Sequence, residues 1–284
     1  MSFGNATEFI AFLPPPGAAL KAYNHHAPHD QQPGSIPATF REAMEIREEV
    51  FVKEQKCSLA NEVDEDDPRS FHWVVYASVG TTSSPSPTID PIPSGDARVD
   101  ERRASESTAS RVPVGTIRLV PPPHPAHSPS PSPDSTPSTA PADAKRADSK
   151  TPLPSNYTEP KEPYIKLGRL STLAPYRGLG LSRLLFNAAT TWASEHPAEI
   201  IPPKDPAEIE AMKLEGRKEP VAWEGLVLVH AQANVRGLWE KFGFVVDEKM
   251  GTWIEEGIEH VGLWKRIPVK GGTKNDRPVE DAWV

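Results

Sequence analysis

The sequence predicts an α/β fold, on the strength of two strand–turn–helix units and an uneven distribution of proline. In the first unit, an apolar run at 165–173 passes through one Pro and two Gly into 181–192, where apolar residues recur at helical spacing. In the second, the continuously apolar run at 225–231 predicts a strand buried on both faces. A helix that stops at Gly243 follows it. The 33 prolines gather in segments without periodicity, so only part of the chain is predicted to be globular.

Composition and charge indicate which partners and which cellular compartment to expect. The chain has 284 residues, 37% of them hydrophobic, and a formal net charge of −8. That charge argues against a nucleic-acid partner, which would favour a basic face, and it suits a cationic substrate such as an amine. The one cysteine, Cys57, rules out an intramolecular disulfide and indicates a reducing compartment, so we expect a cytoplasmic or nuclear protein. Residues 1–13 lack the basic segment with which a signal peptide begins, so no signal peptide is expected. No apolar run approaches the roughly 20 residues of a membrane-spanning helix, so no membrane partner is expected.

The first part of the chain predicts two strands and a helix. Residues 7–13 predict a strand that ends at a proline triplet, and 71–79 predict the next strand. Between them, 40–55 predict a helix with its apolar side chains near one face. Residues 14–38 predict a loop. Its three histidines lack a carboxylate or cysteine at a fixed offset, so no metal site is predicted.

Two long segments are predicted to be disordered insertions in a single domain that spans residues 1–270. They cover about 80–111 and 121–162, are rich in Pro, Ser and Thr, and lack apolar periodicity. The strand predicted at 111–120 separates them. Closing a longer loop costs entropy only logarithmically, so the fold can carry both. Residues 271–284 are predicted to form a loose tail.

The loop between the strand at 165 and the helix at 181 is predicted to bind an anion. Gly178 and Gly180 let the backbone approach a ligand. The N–H groups of the first helical turn then point at that ligand, with the positive end of the helix dipole behind them. A phosphate or pyrophosphate is the ligand that such a loop favours. The dinucleotide fingerprint fails because Arg183 replaces its third glycine, and no Lys-Ser/Thr pair completes a P-loop. An ordinary strand–helix turn is the alternative.

The pattern Arg-x-x-Gly-x-Gly/Ala, present as Arg177, Gly180 and Ser182, resembles the pyrophosphate loop of the GNAT superfamily of acetyl-CoA-dependent N-acyltransferases. Further segments resemble the family in the same order along the chain, and the first and last resemble its small bacterial-type branch. These segments are R-x-x-V-F-V-x-E-Q at 47–55 with the acidic run at 62–67, V-G-T-I-R-L at 114–119, A-Q at 231–232 with the G-F ending at 243–244, and G-I-x-H-V at 257–261.

The resemblance implies both a fold and an activity. The fold is a mixed, mostly antiparallel central sheet with splayed middle strands and helices on both faces. The activity is direct transfer of an acetyl group, in a ternary complex, from the co-substrate acetyl-CoA to a primary amine of a small molecule or protein. A monomer or homodimer is expected. A different acyl donor, a hydroxyl acceptor, and a non-catalytic acyl-CoA-binding module remain as alternatives.

The resemblance also assigns cofactor-binding residues. The end of the strand lies along the pantetheine, and a backbone N–H there polarises the thioester carbonyl. The glycine loop holds the pyrophosphate, and an asparagine after the next strand binds the pantetheine arm; that asparagine could instead cap a helix. The residues concerned are Leu170, Ser171, Thr172, Arg177, Gly178, Leu179, Gly180, Leu181, Ser182 and Asn234.

Candidate catalytic residues are Thr172, through the carbonyl polariser, and Glu62 and Asp64 of the acidic run, which could receive an amine. A solvated acidic loop is the alternative for the two carboxylates. Other candidate bases are Glu54, His72 and His230, and Cys57 could carry an acyl group or simply pack. Trp239 stands where many relatives have the tyrosine that protonates the leaving thiolate, and an indole N–H cannot replace a phenol in that role.

Overall fold

The structure is a computed structural model that describes six stretches of the chain. They are residues 9–80, 109–124, 157–202, 205–214, 221–273 and 276–283. Most of both predicted insertions, at 81–108 and 125–156, therefore lies outside the described residues. So do Thr7 and Glu8 of the first predicted strand.

Eight strands and five α-helices lie within the described stretches. The strands are β1 (Ile10–Leu13), β2 (Phe71–Gly80), β3 (Ala109–Val120), β4 (Ile165–Thr172), β5 (Leu226–Gln232), β6 (Val245–Val246), β7 (Thr252–Glu255) and β8 (Ile258–Arg266). The helices are α1 (Ala38–Arg47), α2 (Leu181–Glu195), α3 (Pro197–Ile200), α4 (Pro206–Leu214) and α5 (Arg236–Lys241). A π-helical segment (Glu48–Glu54) continues α1. Short 3₁₀ turns cover Gly17–Ala22, His29–Gln31, Leu59–Asn61, Asp67–Arg69, Ala174–Tyr176, Ala233–Val235 and Val279–Trp283.

All the described strands join one sheet. Their order is β1-β2-β3-β4-β5-β8-β6, and β7 pairs with another part of β8. The pair β4–β5 is parallel, and the other described pairs are antiparallel. The predicted mixed, mostly antiparallel sheet is confirmed.

The two central strands separate after a short stretch of pairing. β4 and β5 pair only at Ile165–Leu167, although β4 continues to Thr172 and β5 to Gln232. A β-bulge in β4 accompanies the separation, since Arg118 of β3 faces Gly168 while Thr116 faces Ser171. Two β4 residues thus oppose one residue of β3, which bends the bulged strand. The predicted splay of the middle strands is present.

Helices cover both faces of the sheet because β2 and its neighbours alternate apolar side chains between the faces. Trp73 and Val75 enter the main core, to which α2 contributes Leu185. Val74 and Tyr76 enter a cluster under α1 on the opposite face. The predicted two-sided cover is confirmed, and it leaves the splay between β4 and β5 bordered by α1 on one face and α2 on the other.

Part of the predicted loose tail, and the end of the second predicted insertion, pack against the sheet. Ala282 is 2% exposed in a cluster with Tyr164 and Trp264, on the face of β5 and β8 opposite α2. The Lys161 N–H donates to the Ala282 carbonyl at 3.0 Å. Apolar side chains on that face of β5 and β8 need cover, and these two segments supply it. Local periodicity does not predict this packing, because isolated apolar residues provide it.

Gly225, just before β5, is a position where the fold requires glycine. Its φ is +91°, and a Cβ there would stand 2.0 Å from the carbonyl oxygen of Ile267. We expect Gly225→Ala to lower the free energy of unfolding by about 2–4 kcal/mol, from left-handed backbone strain and overpacking. Urea denaturation measures this change. Gly34→Ala is the control, because a Cβ at Gly34 meets nothing within 4 Å; equal losses in the two variants would contradict the argument.

Candidate functional site

The candidate site is the cleft that opens where β4 leaves β5. Three predicted pantetheine contacts, Leu170, Ser171 and Thr172, form the part of β4 beyond the last pair with β5. Leu170 packs against the main core and Ser171 is buried. The Thr172 methyl lies 3.0 Å from where a Cβ on Gly115 would stand. The side chains of this stretch are therefore largely used in packing, and its backbone is what borders the cleft.

The glycine loop has the geometry of an anion site. Gly178 and Gly180 have φ values of +78° and +81°, and a Cβ on either would meet nothing within 4 Å. Because α2 begins at Leu181, its first intrahelical bond runs from the Leu184 N–H to the Gly180 carbonyl at 3.1 Å. The N–H groups of Leu181, Ser182 and Arg183, which precede it, have no partner within the helix. The loop and the open end of the helix thus present backbone donors to solvent.

Arg177 and Leu179 complete this loop. The Arg177 Nε donates to the Thr172 carbonyl at 3.0 Å, and Nη2 lies 2.6 Å from Oε2 of Glu54. Leu179 is 69% exposed. The guanidinium is thus held beside the end of β4, next to the helix start, where it can meet an anion.

Asn234 lies at the corresponding end of β5. It is exposed, in the 3₁₀ turn after the strand. Helix α5 begins at Arg236, and Val235 precedes it without a side-chain cap, so Asn234 does not cap this helix. Its amide is therefore accessible on the β5 side of the cleft.

The acidic loop is bound to α1 through a buried arginine. The Arg47 Nε lies 2.8 Å from a Glu62 carboxylate oxygen, and its Nη1 lies 2.9 Å from Asp67. Exposure is 1% for Arg47, 5% for Glu62 and 0% for Asp67. In the sequence, only the position of Arg47 on the apolar side of the predicted helix indicates that its guanidinium has buried partners.

Two further arginines bind the same loop to β3 and β4. Arg118 of β3 contacts Asp64 at 2.6 Å and Asp67 at 2.9 Å. Arg169, in the β4 bulge with φ +53°, contacts Asp64 at 3.1 Å. Burial by itself raises the pKa of Asp64, but the Arg118 and Arg169 charges outweigh it and lower that pKa. This ionised, paired carboxylate is a poor proton acceptor, so the geometry favours a structural role here, and catalysis by Glu62 or Asp64 stays a prediction.

The other candidate bases differ in access. His72 is 1% exposed, with Nε2 3.2 Å from the Asp67 carbonyl, so it cannot reach a substrate in the cleft. His230 is partly exposed on β5, with its ring 4.8 Å from that of Trp253. Glu54 is exposed and paired with Arg177. Access therefore favours Glu54 and His230 over His72.

Cys57 is partly exposed just after the π-helical segment. Burial raises the pKa of its thiol, and the nearby Glu256 and Glu62 carboxylates raise it further. A raised pKa disfavours the thiolate, which is the nucleophilic form. The environment of Cys57 is that of a packed thiol and not of an acyl carrier.

Trp239 is buried among aromatic side chains at the start of α5. It is 5% exposed, and its ring meets those of Phe186, Phe242 and Phe244 at centroid distances of 6.3, 5.8 and 5.2 Å, all edge to face. Its ring is thus part of the main core. This packing accounts for a large aromatic residue at this position without any proton transfer.

The described stretches of the chain contain no group of three or more His, Cys, Asp or Glu side chains placed to hold a metal ion. None of their helices combines the length and apolarity that crossing a membrane requires.

Three solved structures are similar to the chain in overall arrangement. An acyl-CoA N-acyltransferase from Pseudomonas aeruginosa is 16% identical, and the alignment covers 84% of this chain and 95% of that one with a TM-score of 0.39. Escherichia coli ElaA is 14% identical, with the same coverages and TM-score. BjaI, a CoA-dependent acyl-homoserine lactone synthase solved with SAM and isopentyl-CoA, is 15% identical, with coverages of 91% and 83% and a TM-score of 0.41.

These likenesses say nothing of what this chain binds or catalyses, because the identities and TM-scores are low. No protein-family profile and no curated protein sequence matches the chain. The fold assignment therefore stands on the strand order, the parallel central pair and its splay.

The buried His72 predicts how stability depends on pH. Burial holds its pKa at about 4, with the Arg47 and Arg118 charges acting in the same direction and Asp67 opposing them. An unfolded histidine has a pKa of about 6.5, so the unfolded chain takes up the proton first. This contribution to stability is complete above pH ~6.5 and is lost as the pH falls towards ~4.

We expect the free energy of unfolding to fall by about 2 kcal/mol between pH 7 and pH 5 from this group alone. Urea denaturation at the two pH values measures the loss, and His72→Gln should remove most of it. His26→Gln, at an exposed histidine, should leave it unchanged. A loss that survives in His72→Gln would assign the pH dependence to other groups.

Proposed function

We propose that this protein is an N-acetyltransferase that moves an acetyl group from acetyl-CoA to a primary amine in a ternary complex. The observation that carries the proposal is the continuity of the cleft and the anion loop. β4 leaves its pairing with β5 after Leu167 and runs through Thr172 into the loop that opens α2. One path therefore offers an extended slot for a pantetheine arm and, at its end, backbone donors for a pyrophosphate.

The residues divide the binding between them. The N–H groups at the start of α2, with Gly178, Gly180 and Arg177, would hold the pyrophosphate. The backbone of Leu170–Thr172 would lie along the pantetheine on one side, and the exposed Asn234 would bind it on the other. This arrangement leaves the thioester beside the β4 bulge, on the side that the acidic loop borders.

Acyl transfer then needs a polarised carbonyl and a neutral amine. A backbone N–H in Leu170–Thr172 would donate to the carbonyl oxygen as negative charge develops there. The amine nitrogen attacks the carbonyl carbon, the carbon–sulfur bond breaks, and the sulfur leaves as a thiolate while the amine loses a proton. A thiol pKa of about 8.5 allows the thiolate to leave near neutral pH without an acid. Glu54 and His230 are the candidate bases with access to the cleft.

Two measurements test the proposal in sequence. Isothermal titration with acetyl-CoA tests the site, and release of free CoA over a panel of amines tests the reaction. Acetyl-CoA binding with turnover on at least one amine supports the proposal. Binding without turnover on any amine would favour the non-catalytic acyl-CoA-binding module, which the tryptophan at 239 also suits. Absence of acetyl-CoA binding would overturn both functions.

Gly180→Glu is expected to abolish acetyl-CoA binding in a folded protein. Its side chain would occupy the approach to the pyrophosphate, and its charge repels phosphate. Titration calorimetry measures the loss. Gly271→Glu is the matched control, because Gly271 also has a positive φ (+77°) and open space around its Cβ position. Binding by a folded Gly180→Glu within threefold of wild type would remove this loop from the proposed site.

Trp239→Phe is expected to keep kcat within about tenfold of wild type on any amine that the panel identifies. It removes packing area but no titratable proton, whereas losing a positioned general acid typically costs 10²–10⁴-fold. Steady-state kinetics measure it, and an unchanged acetyl-CoA affinity serves as the internal control. A hundredfold fall in kcat would show that this indole acts in the chemical step.

A further inference from the structure

Two consecutive side chains contact opposite sides of the open end of the cleft. The Glu54 carboxylate meets the Arg177 Nη2 at 2.6 Å, on the loop that follows β4. Gln55 exchanges two side-chain hydrogen bonds with Gln232, the last residue of β5: its Nε2 donates at 3.2 Å and its Oε1 accepts at 2.7 Å. The end of the π-helical segment therefore spans the gap between the separated strands.

The backbone makes this span a defined structural element. The Gln55 N–H donates to the Val50 carbonyl at 3.2 Å, and the Cys57 N–H donates to the Phe51 carbonyl at 2.9 Å. π-Helical turns are rare, and they occur frequently at functional sites. Here the wide turn ends the helix with Glu54 and Gln55 directed at the two sides of the cleft.

The two contacts respond differently to an anion. The side chains of Arg177 and Glu54 are 46% and 34% exposed, and exposed ion pairs are weak. A pyrophosphate offers the guanidinium more charge and more acceptor oxygens than one carboxylate does. The amides of Gln55 and Gln232 are neutral, so a phosphate group does not compete for them as it does for Arg177.

We propose that Glu54 is a positioning residue that occupies Arg177 in the free protein and is displaced from it by the pyrophosphate of acyl-CoA. This inference rests on the proposed function. Gln55 and Gln232 then act as the pivot that keeps the segment attached to β5. Binding of the acyl donor thus frees the Glu54 carboxylate and one end of the span.

Removing the competitor tests the proposal with CoA as the probe. Glu54→Gln should bind CoA about two- to fivefold more tightly than wild type, the range that an exposed ion pair can supply. Glu49→Gln is the matched control, because Glu49 is an exposed residue of the same segment that pairs with Lys53 instead. It should bind CoA as wild type does. In an Arg177→Ala background, Glu54→Gln should have no effect, since the two act through one contact.

Hydrogen exchange reports the movement directly. Saturating CoA should speed exchange at the Gln55 and Cys57 amides in wild type, and free Glu54→Gln should already exchange at the faster rate. A purely structural role for Glu54 would leave CoA affinity unchanged or weaken it.

Unchanged or weaker CoA binding by Glu54→Gln would therefore overturn the inference, as would a gain that persists with Arg177→Ala. Slower exchange at these amides with CoA would overturn the displacement. Failure of wild type to bind CoA would overturn the proposed function together with this inference, which separates the two failures.

Discussion

The buried guanidinium of Arg118 is the contact on which the shape of the cleft depends. It reaches from β3 to Asp64 and Asp67 of the acidic loop, and the backbone of Arg118 is paired with that of Gly168, where the β4 bulge begins. One side chain thus joins the loop to β3, the neighbour of the strand that bends away from β5. Losing one member of a buried ion pair costs about 3–5 kcal/mol, because the remaining charges stay desolvated. The bulge, the splay and the position of the acidic loop are accordingly set together.

The same network decides what the acidic loop can contribute to chemistry. Arg169 holds a positive φ that is unfavourable for any residue with a side chain, and its contacts with Glu62 and Asp64 offset that strain. In return, both carboxylates are paired with the Arg169 guanidinium beside the cleft. The acidic loop therefore contributes more to the shape of this side of the cleft than to its net charge. In the proposed reaction, proton transfer would fall to other groups at the cleft, among which Glu54 is already paired with Arg177.

Local signals explain which parts of this molecule were predictable. The glycine loop could be predicted because positive φ values and a helix start are encoded within a few residues, as at Gly178 and Gly180. The alternation along β2 and the apolar run of β5 likewise report burial directly. The fold class needed in addition the order of several matching segments.

The parts that could not be predicted depend on contacts far apart in sequence. Arg118 and Asp64 are separated by 54 residues, and no periodicity links them. The packing of the C-terminal segment against Trp264 depends on isolated apolar side chains, such as Ala282 and Val279, in a polar segment. The role of Trp239 as a core residue depends on Phe186, which belongs to another helix. In each case the role of the residue depends on a partner distant in sequence, so the residue and its neighbours in the chain do not predict it.

The register of the β2–β3 hairpin has a consequence for engineering. Gly80 and Ala109 are paired partners at its end, so the chain leaves and re-enters the sheet at adjacent positions. Residues 81–108 therefore connect to the sheet at two neighbouring strand ends. Because these two strand ends are adjacent, the residues between them can be replaced by a tight turn, a reporter domain or an affinity handle without moving either end. The hairpin thus offers a place to add a label while the strands around the cleft keep their own registers.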